Sequence, residues 1–311
     1  MVVENKQIDE AQIEKLIVEE NHDAAPPVGF EVIRREFVKD KIAMTALVIL
    51  SVLVLIVIFA SFFIDLDEAT RVDIFSRFTP PGEDGYILGS DEGGRDVFAL
   101  LIVGARNSLF IGWSITVLTA IIGLVTGIIS GYYGGIVDDI MMRIVDFVMV
   151  LPQLMIIIVV VTIMRTFNAF TLIWVLTAFG WVSQTRLFRT ATLSEASKDY
   201  ISASKTLGTR DWKVMFVELM PNLSSLIITN LTLSFAANIG IETGLSFLGF
   251  GLPVGTPSLG TLIGYANNPD VIENKTWVWL PAVILILIMM LCINYIGQAM
   301  QRAADSKQRR G

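Results

Sequence analysis

Cysteine and histidine are almost absent from this chain of 311 residues, which holds only Cys292 and His22. A single cysteine cannot form an internal disulfide, and one Cys with one His provides too few ligands for a structural zinc site. Charged residues are also scarce, at 17%, and the formal net charge is −7. This acidic balance excludes a protein that binds nucleic acid through its bulk charge.

Hydrophobic residues, by contrast, make up 53% of the chain, and the mean hydropathy is +0.64. A water-soluble chain carries about a quarter charged residues to cover its surface. Because this chain falls well short of that share, most of its outer surface must face a lipid bilayer. The composition therefore predicts an integral, multi-pass membrane protein.

Six stretches without Asp, Glu, Lys or Arg are long enough for helices that cross a bilayer, which takes about 20 apolar residues. A further uncharged stretch, 243–269, is interrupted throughout by glycine and proline and predicts a loop, partly re-entrant, that protein or a water-filled cavity must cover. The fold class is therefore an all-α membrane protein with six transmembrane helices, at 42–64, 107–137, 147–164, 166–185, 219–241 and 276–301.

Basic residues give the orientation of these helices. Arg34, Arg35, Lys39 and Lys41 precede the first span and place the N-terminus in the cytoplasm. With alternating spans, the inside segments carry 15 Lys and Arg residues and the outside segments carry 6. The prediction is N-in and C-in.

The chain divides into five segments. Residues 1–41 form an acidic cytoplasmic tail, and 42–64 form the first transmembrane helix. Residues 65–106 hold nine carboxylates and the turn Pro80-Pro81-Gly82, which predicts a small folded cap outside the membrane. Residues 107–302 form a five-helix core with a long cytoplasmic loop at 186–221, and 303–311 form a cytoplasmic tail.

Motifs for catalysis are missing from the sequence. It has no G-x-x-x-x-G-K-[ST] phosphate loop, no H-E-x-x-H and no G-x-S-x-G. We therefore expect no catalytic residue, no cofactor and no metal in this chain, and if the protein uses ATP, another chain hydrolyses it.

The loop at 186–221 is long for a connection between transmembrane helices. Its pattern predicts two short helices, 193–207 ended by Gly208 and 210–220 ended by Pro221. Ala203, Leu207, Trp212 and Phe216 would give them a modest apolar face. The loop is either an interfacial helix lying on the lipid surface or a docking element for a soluble partner.

This loop resembles the cytoplasmic "EAA" loop of bacterial ABC importer permeases, in which Glu-Ala-Ala is followed by Gly after three residues and by Pro thirteen residues later. Gly208 and Pro221 have this spacing, whereas Ser202 and Ser204 stand at the first and third letters. Docking would then rest on helix shape, apolar contacts and nearby charges. The resemblance implies that the ATPase-coupling residues are Ser202, Ala203, Ser204, Lys205, Leu207, Gly208, Arg210 and Pro221.

Three further stretches are similar to signatures of the C-type permeases of dipeptide/oligopeptide and nickel importers. Residues 88–97 with 104–106 resemble "LGTDxxGRDV…GAR", residues 143–146 with Pro152 resemble the start of the third span, and 245–251 resemble "LSFLGxG". The resemblance covers roughly residues 35–300.

Several expectations follow from that resemblance. It implies a type I ABC importer permease fold in the bacterial inner (cytoplasmic) membrane, carrying di- or oligopeptides. A homologous second permease would complete a heterodimer, and two ATPase subunits would hold ATP and Mg. An extracellular or periplasmic solute-binding protein would deliver the peptide.

Small residues and one proline within the spans suggest packing and bending. Gly123, Gly127 and Gly131 recur every four residues and share one helix face, which suits close packing either inside the subunit or against a partner. Pro152 should kink the third helix, as a gate pivot or as a static bend.

Two carboxylates near the spans are candidates for a pathway or gate. Asp146 lies three residues after Arg143, and an i,i+3 ion pair is the simpler interpretation. Glu242 is surrounded by uncharged residues and should face a polar cavity or a partner. It would either line the translocation path or hold a structural hydrogen bond at the outer end of the fifth helix.

The alternative function is a self-sufficient secondary transporter or channel. Such proteins pair ionisable residues within their spans, and here only Glu242 qualifies. A membrane anchor with a purely structural role would not explain the loop at 186–221.

Overall fold

The computed structural model describes residues 37–164, 167–253 and 255–308. The predicted acidic tail therefore lies outside the described residues up to position 36, as do residues 309–311 at the other end. The described elements are helical, with one isolated bridge between Ser90 and Asp96. The α-helices, in chain order, are α1 Lys41–Phe63, α2 Leu66–Ala69, α3 Val97–Tyr133, α4 Gly135–Val150, α5 Gln153–Ile163, α6 Ala169–Ala196, α7 Asp199–Thr206, α8 Asp211–Lys213, α9 Met220–Asn222, α10 Ser224–Phe247, α11 Leu259–Gly264, α12 Pro269–Asn274 and α13 Leu280–Gln308.

Within the described residues, four helices are long and apolar enough to cross a bilayer: α1, α3, α10 and residues 280–303 of α13. The pair α4 and α5 passes the same test when taken together, although its halves meet at an angle of 74°. The α6 helix is not among them; polar residues interrupt its apolar sequence, and its second half carries Arg186, Arg189 and Glu195. The all-helical class is confirmed, and the described residues hold four helices that could cross a bilayer, or five if the bent pair counts as one span.

The helix directions follow from the side chains that meet. Gly123, Gly127 and Gly131 of α3 meet, in that order, Gln184, Phe188 and Thr192 of α6, so these two helices run parallel. The α10 helix runs antiparallel to α3, because Gly112 meets Ile239 while Ser108 bonds to Glu242. Gly297 of α13 packs on Leu233, whereas Met290 approaches Gly240, so α13 is antiparallel to α10.

The two ends of the described chain lie side by side. The carboxylate of Asp40 accepts hydrogen bonds from the backbone N–H groups of Ile42 and Ala43, which caps α1. Arg302, near the end of α13, donates to the same carboxylate at 2.8 Å. The start of α1 and the end of α13 are thus at one end of the bundle.

Several predicted boundaries differ from the structure. The α3 helix begins at Val97, because Asp96 caps it by accepting from the N–H of Phe98, so the last ten residues of the predicted 65–106 segment belong to this helix. It ends at Tyr133, where Gly134 adopts a φ of 61°, rather than at 137. Residues 138–143, which separate the second and third predicted spans, lie within α4. Likewise, α6 continues through the start of the 186–221 loop to Ala196.

The uncharged stretch 243–269 begins within α10, which ends at Phe247, and contains the short helix α11. Its Ser258 forms a capping box with Thr261. Leu259 and Leu262 enter the main buried cluster, which joins α1, α3, α10 and α13. Within this stretch, residues 257–260 and Leu262 are buried, whereas Leu248, Gly249, Pro253 and Gly255 are exposed. Its prediction as a partly re-entrant loop stays a prediction.

Candidate functional site

The segment that joins α6 to α10 is a compact layer at the end of the bundle where α3 ends. Gly208 ends the first of its helices with a φ of 80°, where its N–H donates to Lys205 O at 3.0 Å. This left-handed position favours glycine, and the predicted helix end at Gly208 is confirmed. The predicted helix 193–207, however, is two elements, because α6 stops at Ala196 and α7 starts at Asp199.

The prediction that Pro221 ends a helix is wrong. Residues Val214–Leu219 form a π-helix, and Pro221 lies within the short helix α9 that follows. A wider π turn accommodates a residue that has no N–H to donate, since proline breaks the i to i−4 ladder. The chain therefore continues through Pro221 and turns into α10 at Leu223.

One face of this layer is buried and the other is open. Ile201, Val214 and Leu219 are fully buried against Ile128 and Tyr132 of α3. On the opposite face, the side chain of Leu207 is 86% exposed and that of Trp212 is 53% exposed. Of the predicted coupling residues, Ser204 is half-buried, and the exposed ones are Ser202, Ala203, Lys205, Leu207, Gly208, Arg210 and Pro221.

Side-chain hydrogen bonds fix this layer internally. Ser204 donates to Glu218 at 2.8 Å, and Asn222 donates to the hydroxyl of Tyr200 at 3.0 Å. Tyr200 in turn donates to Glu195 at 2.9 Å. Burial and the Glu195 carboxylate raise the pKa of Tyr200 above its usual value, so the hydroxyl keeps its proton. Glu218 thus provides a carboxylate beside Ser204, which the sequence alone did not reveal.

The glycines at 123, 127 and 131 pack inside the subunit. A Cβ atom on Gly123 would lie 2.3 Å from the Cβ of Gln184, and one on Gly131 would lie 2.8 Å from the carbonyl oxygen of Arg189. Both neighbours belong to α6. The structure therefore places the glycine face in the α3–α6 contact, the first of the two alternatives.

Pro152 breaks the third predicted span into α4 and α5. The break opens one side of a groove of about 470 Å³, which is closed by α6 and α10. Its wall is largely apolar, with the side-chain amides of Gln153 and Asn238 as polar groups. The groove is lined by Gln153, Leu154, Ile157, Leu176, Phe179, Gly180, Ala237, Asn238, Gly240, Ile241, Gly244, Leu245 and Leu248.

Asp146 pairs with a different residue from the one predicted. Its carboxylate accepts a hydrogen bond from Arg186 of α6, and not from Arg143, which lies one turn earlier on α4. Both side chains of the pair are about half exposed. The contact ties α4 to α6 at the surface of the subunit.

Glu242 is fully buried within the subunit. Ser108 of α3 and Ser246 of α10 each donate to its carboxylate at 2.8 Å, and the hydroxyl of Ser108 also accepts from the N–H of Leu259 at 3.1 Å. The carboxylate thus joins α3, α10 and α11. This geometry fits the structural hydrogen-bonding alternative, since the side chain reaches no open surface of this chain.

The segment before α3 folds around one buried carboxylate at the opposite end of the bundle from the 186–221 loop. Asp91 accepts from the side chain of Arg95 at 2.9 Å and from the hydroxyl of Tyr265 at 2.9 Å. Burial and Asp91 raise the pKa of Tyr265 above its usual value, so its hydroxyl remains a donor. Gly94 allows the tight turn, since its φ is 72° and a Cβ there would lie 1.8 Å from Asp73 O. The motif at 88–97 thus builds a folded cap.

Comparison with known proteins identifies the family. Residues 123–310 match the family described as binding-protein-dependent transport system inner membrane component. Residues 30–81 match the N-terminal TM domain of oligopeptide transport permease C. Both matches lie in the parts of the chain where the sequence motifs and the helical core were found.

Individual relatives match along most of their length. The oligopeptide transport system permease protein OppC of Lactococcus lactis subsp. lactis (strain IL1403) is 49% identical over 89% of this chain and 94% of its own. The dipeptide transport system permease protein DppC of Bacillus subtilis (strain 168) is 35% identical over 89% and 85%.

A solved structure has the same fold. A chain of the MetNI methionine ABC transporter, in an inward facing conformation, superposes with a TM-score of 0.54 at 20% identity. The match covers 66% of this chain and 96% of that one. The chain belongs to the binding-protein-dependent transport permeases and, within them, to the C-type permeases of peptide ABC importers.

Proposed function

We propose that this chain forms half of the translocation pathway of an ATP-driven importer for di- and oligopeptides. The observation that carries the proposal is the identity of 49% over nearly the full length of a relative named as an oligopeptide permease. A dipeptide permease is 35% identical over a similar length. The substrate class is therefore short peptides.

The proposed topology is six crossings with both termini in the cytoplasm of a bacterial cell, in its inner (cytoplasmic) membrane. The parallel directions of α3 and α6 support six crossings, because the chain must return once between them. The bent α4–α5 pair is the helical segment that the structure describes there. The contact of Asp40 with Arg302 supports both termini on one side. The excess of Lys and Arg in the inside segments supports the cytoplasmic side.

The partners follow from this scheme. A homologous second permease forms the other half of the pathway. Two ATPase subunits hold ATP and Mg on the cytoplasmic side, and an external solute-binding protein delivers the peptide at the cap. The groove beside Pro152 would then face the pathway, where its apolar wall suits peptide side chains, and the bend at Pro152 would act as the pivot of a gate.

The exposed face of the 199–213 layer is the proposed docking surface for the ATPases. Leu207 and Trp212 are large apolar side chains open to solvent, and Arg210 lies between them in sequence. A buried apolar anchor with a charged rim is typical of a protein–protein contact. ATP-driven closure would push on this face, and the push would reach α10 through Pro221.

The proposal is tested by purifying the tagged chain in mild detergent from its native membrane and identifying what accompanies it by mass spectrometry. We expect a second permease, an ATPase and a solute-binding protein. The matched variant Leu207→Asp with Trp212→Asp should lose the ATPase and keep the second permease. A chain that purifies alone and transports in liposomes without ATP would instead be a secondary transporter or channel.

A further inference from the structure

A polar contact joins residues 199–213, here called the docking layer, to the end of α3. The hydroxyl of Tyr132 donates to Asp211 Oδ1 at 2.7 Å, and that of Tyr133 donates to Oδ2 at 3.3 Å. The Nζ atom of Lys205 lies 4.0 Å from the centroid of the Tyr132 ring. Because Asp211 begins α8, beside the exposed Trp212, one side chain connects the proposed docking face directly to a membrane helix.

The apolar contacts under this polar pair make the connection stiff. Tyr132 is 8% exposed and shares a buried cluster with Ile128, Ile201 and Val214. A displacement of α7 or α8 relative to the end of α3 would have to open this cluster and break the bonds to Asp211. The docking layer and the end of α3 therefore move together.

The route into α10 is less direct. Between α8 and α10 the chain passes through the π-helix Val214–Leu219 and then through Pro221, which cannot donate a backbone hydrogen bond. The chain turns again at Leu223, before α10 begins. Leu219 and Leu223 on this route belong to the same buried cluster as Tyr132, so this route runs alongside the contact at Tyr132.

The α3 helix reaches the other end of the bundle. Its 37 residues span about 55 Å at the rise of an α-helix. At its start, Asp96 caps it and Arg95 is held by Asp91 in the folded cap. The three glycines of the α3–α6 contact allow α6 to lie directly against it, so these two parallel helices behave as one body.

We propose that Tyr132 and Asp211 are a positioning pair that passes the displacement of the docking layer into α3, which carries it to the cap. This inference rests on the proposed function and adds a second route to the one through Pro221. In this proposal, α3 and α6 move together and connect ATP hydrolysis on one side of the membrane to substrate entry on the other.

The variant Tyr132→Phe tests the pair, because it removes the hydroxyl and keeps the ring in its apolar cluster. The matched control is Tyr133→Phe, whose hydroxyl makes the longer bond and whose ring is 51% exposed. Each variant is purified as the complete complex and reconstituted into liposomes. Two rates are measured: ATP hydrolysis stimulated by the peptide-loaded binding protein, and peptide uptake.

We expect Tyr132→Phe to lower the peptide taken up per ATP by about fivefold or more, the lower range of coupling between distant sites. Stimulated ATP hydrolysis should persist, and Tyr133→Phe should resemble the unaltered protein. In a double-mutant cycle, Asp211→Ala should add to Tyr132→Phe little beyond the loss of the longer Tyr133 bond, since both variants remove the contact between Tyr132 and Asp211.

Two results would overturn the inference. One is an unchanged ratio of peptide to ATP in Tyr132→Phe. The other is a parallel fall of uptake and hydrolysis, which would mean that the pair only holds the docking surface in shape. Absence of ATP-dependent uptake by the unaltered complex would instead refute the proposed function itself, so the two failures are distinguishable.

Discussion

Replacing Gly127 with alanine should separate α3 from α6. The new Cβ atom would lie 2.8 Å from the Cβ of Phe188, 2.8 Å from the carbonyl oxygen of Thr185 and 2.9 Å from the backbone nitrogen of Arg189. Two of these three neighbours are backbone atoms, so no change of rotamer relieves the overlap. The two helices must move apart along the contact that buries both.

The size of the effect follows from two opposing contributions. Overpacking a tight contact costs about 1–3 kcal/mol, whereas exchanging glycine for alanine within a helix gains up to about 1 kcal/mol. When the full helical gain of about 1 kcal/mol is subtracted, the net result at Gly127 is a destabilisation of up to about 2 kcal/mol. At Gly244, among the described residues, no atom beyond its chain neighbours and the adjacent backbone of its own helix lies within 4 Å of the added Cβ, so alanine there keeps the helical gain.

The assay is the apparent melting temperature of the purified protein in detergent, followed by tryptophan fluorescence. Gly127→Ala should melt below the unaltered protein, and the matched variant Gly244→Ala should melt at or above it. A Gly127→Ala protein as stable as Gly244→Ala would refute the assignment of this glycine to a close helix contact.

Three other substitutions test the remaining contacts. Glu242→Ala leaves the buried hydroxyl of Ser108 without its acceptor and should cost about 1–3 kcal/mol in thermal unfolding, whereas Glu242→Gln keeps an acceptor and should cost less. The backbone N–H of Ala43 and the side chain of Arg302 lower the pKa of Asp40, so its stabilising effect is present above the ordinary carboxyl pKa and is lost as the pH falls through the lowered value. Asp40→Asn should therefore lower the melting temperature at neutral pH and leave it unchanged in strong acid. Pro152→Ala should relax the bend of 74° between α4 and α5, which a longer distance between spin labels at their far ends would reveal.

Local sequence patterns predicted the parts of this fold that depend on local chemistry. Uncharged runs located α1, α3, α10 and α13, because a helix in lipid must be apolar along the length that crosses the bilayer. Gly208 was predicted as a helix end because the left-handed conformation favours glycine. The helix boundaries were less accurate. Arg106 interrupts the apolar sequence of α3, which begins at Val97, and α6 continues past residue 185 through Arg186 and Arg189 to Ala196.

Contacts between residues that are far apart in the chain could not be predicted from the sequence. The partner of Asp146 was predicted one turn away, at Arg143, whereas the structure pairs it with Arg186 on another helix. The contacts of Glu218 with Ser204 and of Asp211 with Tyr132 were not predicted either, because only folding of the 186–221 loop brings these groups together. The wider π turn before Pro221 likewise has no signature in the order of residues.

The most direct test of the proposed function is peptide uptake by the complete complex in liposomes, with the solute-binding protein outside and ATP inside. We expect accumulation of labelled di- or oligopeptides that requires ATP, the binding protein and this chain together. Uptake that proceeds without ATP, or that is driven by an ion gradient alone, would contradict it.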